Sequence, residues 1–426
     1  MNILMFTNTF LPHVGGVARS VTLVANALRE RGHRVLIVAP SFEGGEEDSE
    51  GVLRFPAFQQ VSGSDYSVPI PLSRRIGDEI DAFAPDIVHS HHPFLLGDTA
   101  LRVAAQRGIP IVDTNHTRFD LYARNLTVAK ERIGRAMWSL AVGYCNLCDA
   151  VVAPSESIRE MLIERGVKRP VRVIPTGIVL EDFASGDRAR ARRLLGLPEG
   201  AFVAGHLGRL ATEKNLDYLA EALIAFLKAN SMAHVVIAGE GDLKPRIAAR
   251  FQDEGLASRL HLTGIQMGSD LPDFYAALDV FAFASLSETQ GIVLSEAMAA
   301  GCPLVALDAP GAREAVAEGE TGFLLAEDAS HADFAAALGR IAAMDAATYG
   351  AMREAALHRV KSFSVEVMAD RMLALYRDVI AAHEPERERD EAEWSSAWRV
   401  VVAEGEILWN IVQALGEAVL PGGNET

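Results

Sequence analysis

The chain has 426 residues, 49% of them hydrophobic, which is enough to fill two cores and excludes a disordered protein. A formal charge of -17 excludes a general nucleic-acid binder, which needs a basic face. Three cysteines are too few for a disulfide framework, and no apolar run is long enough to cross a bilayer.

In chain order, Asn2 to Phe6 reads as a strand that opens the sequence directly, so no cleavable signal is expected and the location is cytoplasmic. The loop Leu11-Pro12-His13-Val14-Gly15-Gly16-Val17 follows, then a helix from Arg19 to Arg31 and a strand from Val35 to Ala39. Gly-x-Gly-x-x-Gly spacing is absent, so there is no dinucleotide fingerprint. Gly15-Gly16 ahead of a helix suits an anion or a closely approaching substrate, and suits a plain turn equally well. Residues 42–75 are acidic and rich in glycine and proline, and irregular structure is expected there. A helix from Arg75 to Phe83 precedes the strand Asp86-Ile87-Val88-His89, which runs into Ser90-His91-His92-Pro93. Helix 97–107 leads to strand Ile111-Val112 and the loop Asp113-Thr114-Asn115-His116-Thr117. His89, His91 and His92 raise the question of a metal, but no second cluster or Glu-x-x-His accompanies them, and none is expected. His116, in a loop at a strand's end, is the better candidate for an active cleft.

Arg118, Arg124, Lys130, Arg132 and Arg135 lie among Phe119, Leu121, Tyr122, Leu126 and Trp138. A basic, aromatic-rich stretch of this kind fits attachment to an anionic membrane surface, and fits an ordinary surface helix with a solvated face equally well. Cys145 and Cys148, inside an apolar helical run, read as buried thiols. A strand from Ala150 to Ala153, a helix from Ser155 to Arg165 and a strand from Val171 to Ile174 complete a first unit near residue 180.

The second unit starts with the strand Phe202 to Leu207 and the loop Gly208-Arg209-Leu210-Ala211-Thr212-Glu213-Lys214-Asn215 before a helix. Two cations on one strand-to-helix loop can both reach a diphosphate. The strand His234 to Ala238 ends in Gly239-Glu240-Gly241, which reads as a close-approach turn. Leu260 to Thr263 precedes Gly264-Ile265-Gln266, whose backbone could pair with a nucleobase. The apolar run Asp279 to Ala284 leads into Ser287-Glu288-Thr289-Gln290-Gly291-Ile292-Val293-Leu294-Ser295-Glu296. This stretch lies at the carboxyl end of a parallel strand, where open α/β sheets bind ligands. Gly291 lets a ligand approach the backbone, and the amides of Ile292 and Val293 begin a helix, which favours phosphate. Glu288 and Glu296 flank the turn as acceptors for sugar hydroxyls; either one alone reads equally well as an exposed carboxylate. Ser364 is the expected N-cap of a helix from Val365 to Ala382.

The amino-terminal Gly-Gly loop, Arg209 with Lys214, the Gly-Glu-Gly turn and the Glu-x7-Glu of Glu288 and Glu296 come in the order found in GT-B glycosyltransferases of family GT4. The chain resembles that family from its start to about Ala382. The resemblance implies an α/β fold of two Rossmann-like, doubly wound parallel-sheet domains facing a central cleft. Residues 1–180 would form the acceptor domain, completed by a returning helix 364–382, and residues 181–363 the nucleotide-sugar domain. The implied activity is retaining hexosyl transfer from a nucleotide-diphosphate sugar, UDP-glucose by preference, as co-substrate. No metal or other cofactor is implied, and the chain has no Asp-x-Asp clamp. By the same resemblance Arg209 and Lys214 hold the diphosphate, Glu288 the sugar hydroxyls and Glu296 the ribose, and His116 lies beside the sugar. Gln290, Gly291, Ile292 and Val293 surround the sugar and phosphates through their backbone. Gly15, Gly16, Gly239, Gly241 and Ile265 complete the donor-side set. A leaving-phosphate oxygen, rather than a side chain, deprotonates the acceptor. Many relatives carry an aromatic where this chain has Gln290. The Glu-Thr-Gln-Gly form, with His116-Thr117 followed by Tyr122 in a basic stretch, is similar to the diacylglycerol glucosyltransferase branch. That similarity implies a lipid acceptor on the inner face of a membrane, although the branch often has a tyrosine where this chain has Phe119.

Beyond the resemblance, residues 384–393 read as a charged linker, and 383–426 as linker plus tail. Trp394, Trp398, Val401, Gly405, Leu408, Val412, Leu415 and Val419 alternate four and three apart, forming one apolar stripe of a helix. The polar face carries Glu404, Glu406 and Glu417, which disfavours anionic lipid, so this helix is expected to dock on its own domain or on a protein partner. Two other functions fit the motifs: the same transfer to a soluble sugar, polyol or polysaccharide, and a GT-B-shaped sugar-nucleotide epimerase or non-catalytic binder.

Overall fold

The computed structural model describes residues 1–12, 15–41, 50–55, 57–58, 68–69, 74–118, 128–393 and 402–411. They form two compact units, Met1–Gly177 with Met368–Thr426, and Ile178–Val367. In the first, strands β1 (Asn2–Phe6), β2 (Arg34–Pro40), β3 (Val52–Phe55), β6 (Ile87–Ser90), β7 (Ile111–Thr114), β8 (Ala150–Ala153) and β9 (Val171–Val173) make one sheet. Its order is β3-β2-β1-β6-β7-β8-β9, and every pairing is parallel. Two short strands, β4 (Ala57–Phe58) and β5 (Val68–Pro69), pair antiparallel beside it. Strand β3 falls where irregular structure was expected. Four residues are too few to show a period among prolines and acids, and pairing with β2 is what makes them a strand.

In the second unit the sheet runs β12-β11-β10-β13-β14-β15, again parallel throughout. Its strands are β10 (Phe202–Leu207), β11 (Ala233–Ala238), β12 (Leu260–Gly264), β13 (Val280–Phe283), β14 (Leu304–Leu307) and β15 (Gly322–Leu325). Helices cover both faces, so the central strands are apolar at successive positions instead of alternating. One layer packs Leu219, Leu223 and Phe226 with Phe334 and Leu338. The other packs Tyr275, Leu294 and Met298 with Phe281 and Phe283. The strand order reverses between β1 and β6 in one sheet and between β10 and β13 in the other. At such a reversal the loops leaving the carboxyl ends of the strands run in opposite directions, which is where open α/β sheets bind ligands.

The helix Val365–Glu393 starts at the expected cap, with the Val367 amide donating to Ser364 Oγ at 3.3 Å. It does not stop at Ala382. Residues 384–393, expected as a charged linker, continue it; glutamate, arginine and alanine, which make up most of this segment, have high helix propensity. Residues 402–411 form a further helix whose rotation differs from the expected stripe. Ile407 is buried among Leu96, Leu101 and Tyr144, whereas Leu408 and Trp409 are exposed. Glu404, placed on the polar face by the sequence pattern, accepts two hydrogen bonds from Arg102 at 2.5 and 3.2 Å. Asn410 Nδ2 donates to the Leu140 carbonyl at 3.1 Å. These polar anchors, invisible to an apolar count, set the face. Trp394, Trp398, Val401, Val412, Leu415, Glu417 and Val419 lie outside the described residues. Cys145, Cys148 and Cys302 are free and buried. Among the described residues no helix is long and apolar enough to cross a membrane.

Candidate active site

In the unit Ile178–Val367, β10 runs into the loop that carries both cations. The Arg209 guanidinium is paired with Glu213. Thr212–Lys214 make one 3-10 turn, and Asn215, in the left-handed region at φ 55°, opens the helix Leu216–Ala229. The Asn215 side chain donates to the Ala284 carbonyl at 3.1 Å and ties this loop to the end of β13. Lys214 is thereby brought to Glu288, and its Nζ donates to Oε1 at 2.5 Å. Both side chains are about a fifth exposed, at 22% and 19%. Ser285 Oγ donates to the same carboxylate oxygen at 3.0 Å. A cation and an anion from two neighbouring strand ends thus meet in a half-buried pair, and each occupies the group a phosphorylated sugar would need.

Beyond Glu288 the chain turns at Gly291, left-handed at φ 69°, into the helix Ile292–Ala299. No side chain caps that helix, so the Ile292 and Val293 amides begin it without a cap acceptor. Gln290 is buried, and its backbone is covered by Gly311, where an added Cβ would lie 2.5 Å from the Gln290 carbonyl carbon. Glu296 is fully buried, and its Oε2 accepts the Tyr275 hydroxyl at 2.6 Å. The helix therefore turns this carboxylate inward. Ile265, after β12, is exposed.

The glycines at 239 and 241 meet a packing constraint that the sequence does not show. An added Cβ at Gly239 would lie 1.9 Å from the Gly208 carbonyl oxygen, and one at Gly241 would lie 2.3 Å from the Leu210 oxygen. The Leu210 amide donates to the Glu240 carbonyl at 2.8 Å, and the Leu243 amide to the Leu210 carbonyl at 3.0 Å. What approaches so closely is the Arg209 loop itself. Both glycines support that loop from behind.

In the other unit Gly15, extended at φ -162°, caps the helix Gly16–Glu30, and an added Cβ on Gly16 would meet nothing within 4 Å. Packing does not demand glycine at position 16. The histidines converge. His89 Nδ1 lies 2.6 Å from Tyr376 Oη, and its Nε2 lies 2.7 Å from Thr114 Oγ1. His92 Nδ1 accepts the Asn8 amide at 3.1 Å. His91 Nδ1 and His116 Nε2 are hydrogen-bonded at 3.0 Å, with the rings stacked. Burial holds these rings neutral: His89 and His92 are pushed down to about 3 and His116 to about 4. Asp113, enclosed beneath them, is raised by burial to about 7. His116 is thus an uncharged hydrogen-bonding group held by His91.

The basic stretch proves uneven. Arg118 is buried, so it is not part of an outward-facing basic surface. Arg135 is exposed on the helix Val128–Leu147. Lys130 and Arg132 belong to that helix, but their side chains, with Tyr122 and Arg124, lie outside the described residues. The sequence reading did not single out Asn215, Ser285, Gly311, His206 or Tyr275. An asparagine between a loop and a helix is a signal for a left-handed residue; Ser285 acts on Glu288 three residues on, and Gly311, His206 and Tyr275 act through partners at least twenty residues away in sequence.

Residues 14–182 match the family model described as Glycosyltransferase Family 4, and residues 187–359 the model described as Glycosyl transferases group 1. The chain is 31% identical over 388 residues to a GDP-mannose-dependent alpha-mannosyltransferase of Mycolicibacterium smegmatis, covering 89% of this chain and 98% of that one. It is 28% identical over 312 residues to an alpha-monoglucosyldiacylglycerol synthase of Streptococcus pneumoniae, covering 72% of this chain and 71% of the relative. Sucrose-phosphate synthase of Thermosynechococcus elongatus shares the fold with a TM-score of 0.72 at 22% identity, over 89% of this chain and 99% of that structure. Anabaena Alr3699/HepE, solved in complex with UDP, does so with a TM-score of 0.69 at 20% identity, over 89% and 100%. The chain is a hexosyltransferase of family GT4, built from the two Rossmann-like units of the GT-B fold.

Proposed function

We propose that the protein transfers a hexose, with retention at the anomeric carbon and without a metal, from a nucleotide-diphosphate sugar to a hydroxyl of a membrane glycerolipid. The observation that carries the reading is the Lys214–Glu288 pair at 2.5 Å, where the loops after β10 and β13 meet. A bound donor would part the pair. Its diphosphate would take the ammonium, and its sugar hydroxyls would donate to the carboxylate. As the glycosidic bond breaks, negative charge grows on the leaving diphosphate, and Lys214, Arg209 and the Ile292 and Val293 amides are the groups to stabilise it. The acceptor's proton would go to an oxygen of the leaving phosphate. His116, neutral at ordinary pH, would serve as a hydrogen-bonding group and not as a charge.

Three relatives named for GDP-mannose align over 84–98% of their length, which moves that donor ahead of the UDP-glucose expected from the motifs. Relatives named as diacylglycerol glycolipid synthases support a lipid acceptor, and "alpha" in both names supports retention. The test is a thermal-shift panel of GDP-, UDP- and ADP-sugars without added metal, followed by nucleotide release with and without diacylglycerol micelles. A midpoint rise with one nucleotide class and lipid-dependent release are expected. Release that depends instead on a soluble sugar would move the acceptor assignment.

A further inference from the structure

His206 is 1% exposed near the carboxyl end of β10. Its Nδ1 lies 3.0 Å from the Ala282 carbonyl oxygen on β13. A carbonyl can only accept, so Nδ1 carries the proton and the neutral ring presents Nε2 as a bare lone pair. Burial keeps the ring neutral by pushing its pKa down to about 4. Nε2 has no hydrogen-bond partner, an arrangement that costs free energy in a folded interior. The rings of Phe281 and Phe283, 6.1 and 6.3 Å away between centroids, offer no donor. The atom faces Gly208, where an added Cβ would lie 3.4 Å from it. Both the Lys214 ammonium and the Glu288 carboxylate are near enough to act on the ring's charge. Fastening β10 to β13 through Ala282 accounts for Nδ1 and leaves Nε2 unexplained.

We propose that His206 is a positioning residue for Lys214: when a nucleotide sugar parts Lys214 from Glu288, Nε2 accepts one of the ammonium's hydrogens. This rests on the donor-site reading given above. An ammonium has three donors. Its present acceptor, Glu288 Oε1, is also occupied by Ser285 and would be claimed by sugar hydroxyls. One hydrogen then goes to phosphate, and Nε2 is a waiting acceptor for another. Because the imidazole is neutral, it directs the ammonium without cancelling the charge that the diphosphate needs. A carboxylate in its place would compete with phosphate.

The test measures dissociation constants for GDP and UDP by calorimetry on the full chain. The variants are His206→Phe, His206→Gln, Lys214→Ala and the double variant His206→Phe/Lys214→Ala. Phenylalanine keeps the ring shape and removes the acceptor; the glutamine carbonyl can restore it. His206→Phe is expected to weaken the better-bound nucleotide roughly tenfold, as for one hydrogen bond to a charged group. Glutamine should recover most of that loss, and His206→Phe should add nothing once Lys214 is alanine. His206→Leu replaces the phenylalanine variant if unfolding without nucleotide shows that the latter has not folded. An equal factor with and without Lys214, or no recovery with glutamine, overturns the proposal and leaves His206 a fastening residue. Undiminished nucleotide binding by Lys214→Ala overturns the donor-site reading itself, and this inference with it.

Discussion

Lys214 and Glu288 hold one another, so removing either should have distinct consequences. Lys214→Ala takes away charge stabilisation of the diphosphate and should weaken nucleotide binding as well as transfer. Glu288→Ala should leave free nucleotide binding nearly intact, and both should lower kcat/KM by about a hundredfold or more. Comparing nucleotide affinity with turnover separates the two, and near-normal turnover in either variant would refute the assignment. The buried histidines make a second prediction. His89 and His92 have folded pKa values near 3 and His206 near 4, all below the unfolded value. The unfolded chain therefore binds more protons, and stability is full above about pH 6.5 and is lost as pH falls below it. Each such histidine contributes a loss of about 1.4 kcal/mol per pH unit in that window. Asp113, raised to about 7, acts in the opposite sense, but as one group against several. Denaturant midpoints measured at pH 5, 6 and 7 should fall steeply toward acid, and His89→Gln should flatten the slope by about one proton. A flat profile would mean that these rings are solvated.

At the scale of elements, the loop carrying Arg209 is shaped by the turn behind it. Gly239→Ala would force a Cβ against the Gly208 carbonyl at a backbone φ of +133°, and should cost about 2–4 kcal/mol of stability. Nucleotide affinity should drop with it, because the loop is displaced; calorimetry with GDP on the folded fraction checks this. A loss of stability with unchanged affinity would show the turn and the loop to be independent. The helix 402–411 gives a companion case. Ile407 fills the core beside Leu96 and Tyr144, so Ile407→Ala should lower stability by about 2–4 kcal/mol. Arg102→Ala, which removes a partly exposed ion pair, should cost under about 1 kcal/mol. Equal effects would mean that the apolar contact is not formed in solution.

For the whole molecule, each unit has its own sheet, and the proposed nucleotide site lies in one of them. Hydrogen exchange should therefore slow, on adding the preferred nucleotide, in peptides that span residues 205–216 and 284–296. It should stay unchanged in peptides from β1, β2 and β3. Protection confined to the other unit would reverse the assignment. The net charge of -17 belongs to this scale as well. Basic and acidic side chains balance over residues 1–180, so the acidic excess lies in the remainder. A surface of that kind gains little from anionic lipid, and any contact with a membrane would have to be local and largely apolar.

The sequence alone determined the parallel α/β architecture, the buried thiols, and the two charged loops that follow β10 and β13. Short apolar runs between glycine-bounded helices leave few other folds. Residues at strand ends are fixed by chain order, so Lys214 and Glu288 were legible as candidates. Only the tertiary structure decided what each group faces. It set Lys214 against Glu288, turned Glu296 inward onto Tyr275, gave Gly239 and Gly241 to a neighbouring loop, and stacked His91 on His116. It also carried the helix Val365–Glu393 past its expected end and rotated the helix 402–411 onto Ile407. Apart from the longer helix, the physical reason is common to all of these. Periodicity and loop position report which way a backbone runs, whereas hydrogen bonds and burial depend on partners at least twenty residues away in sequence or on another loop, and local pattern does not encode their rotation.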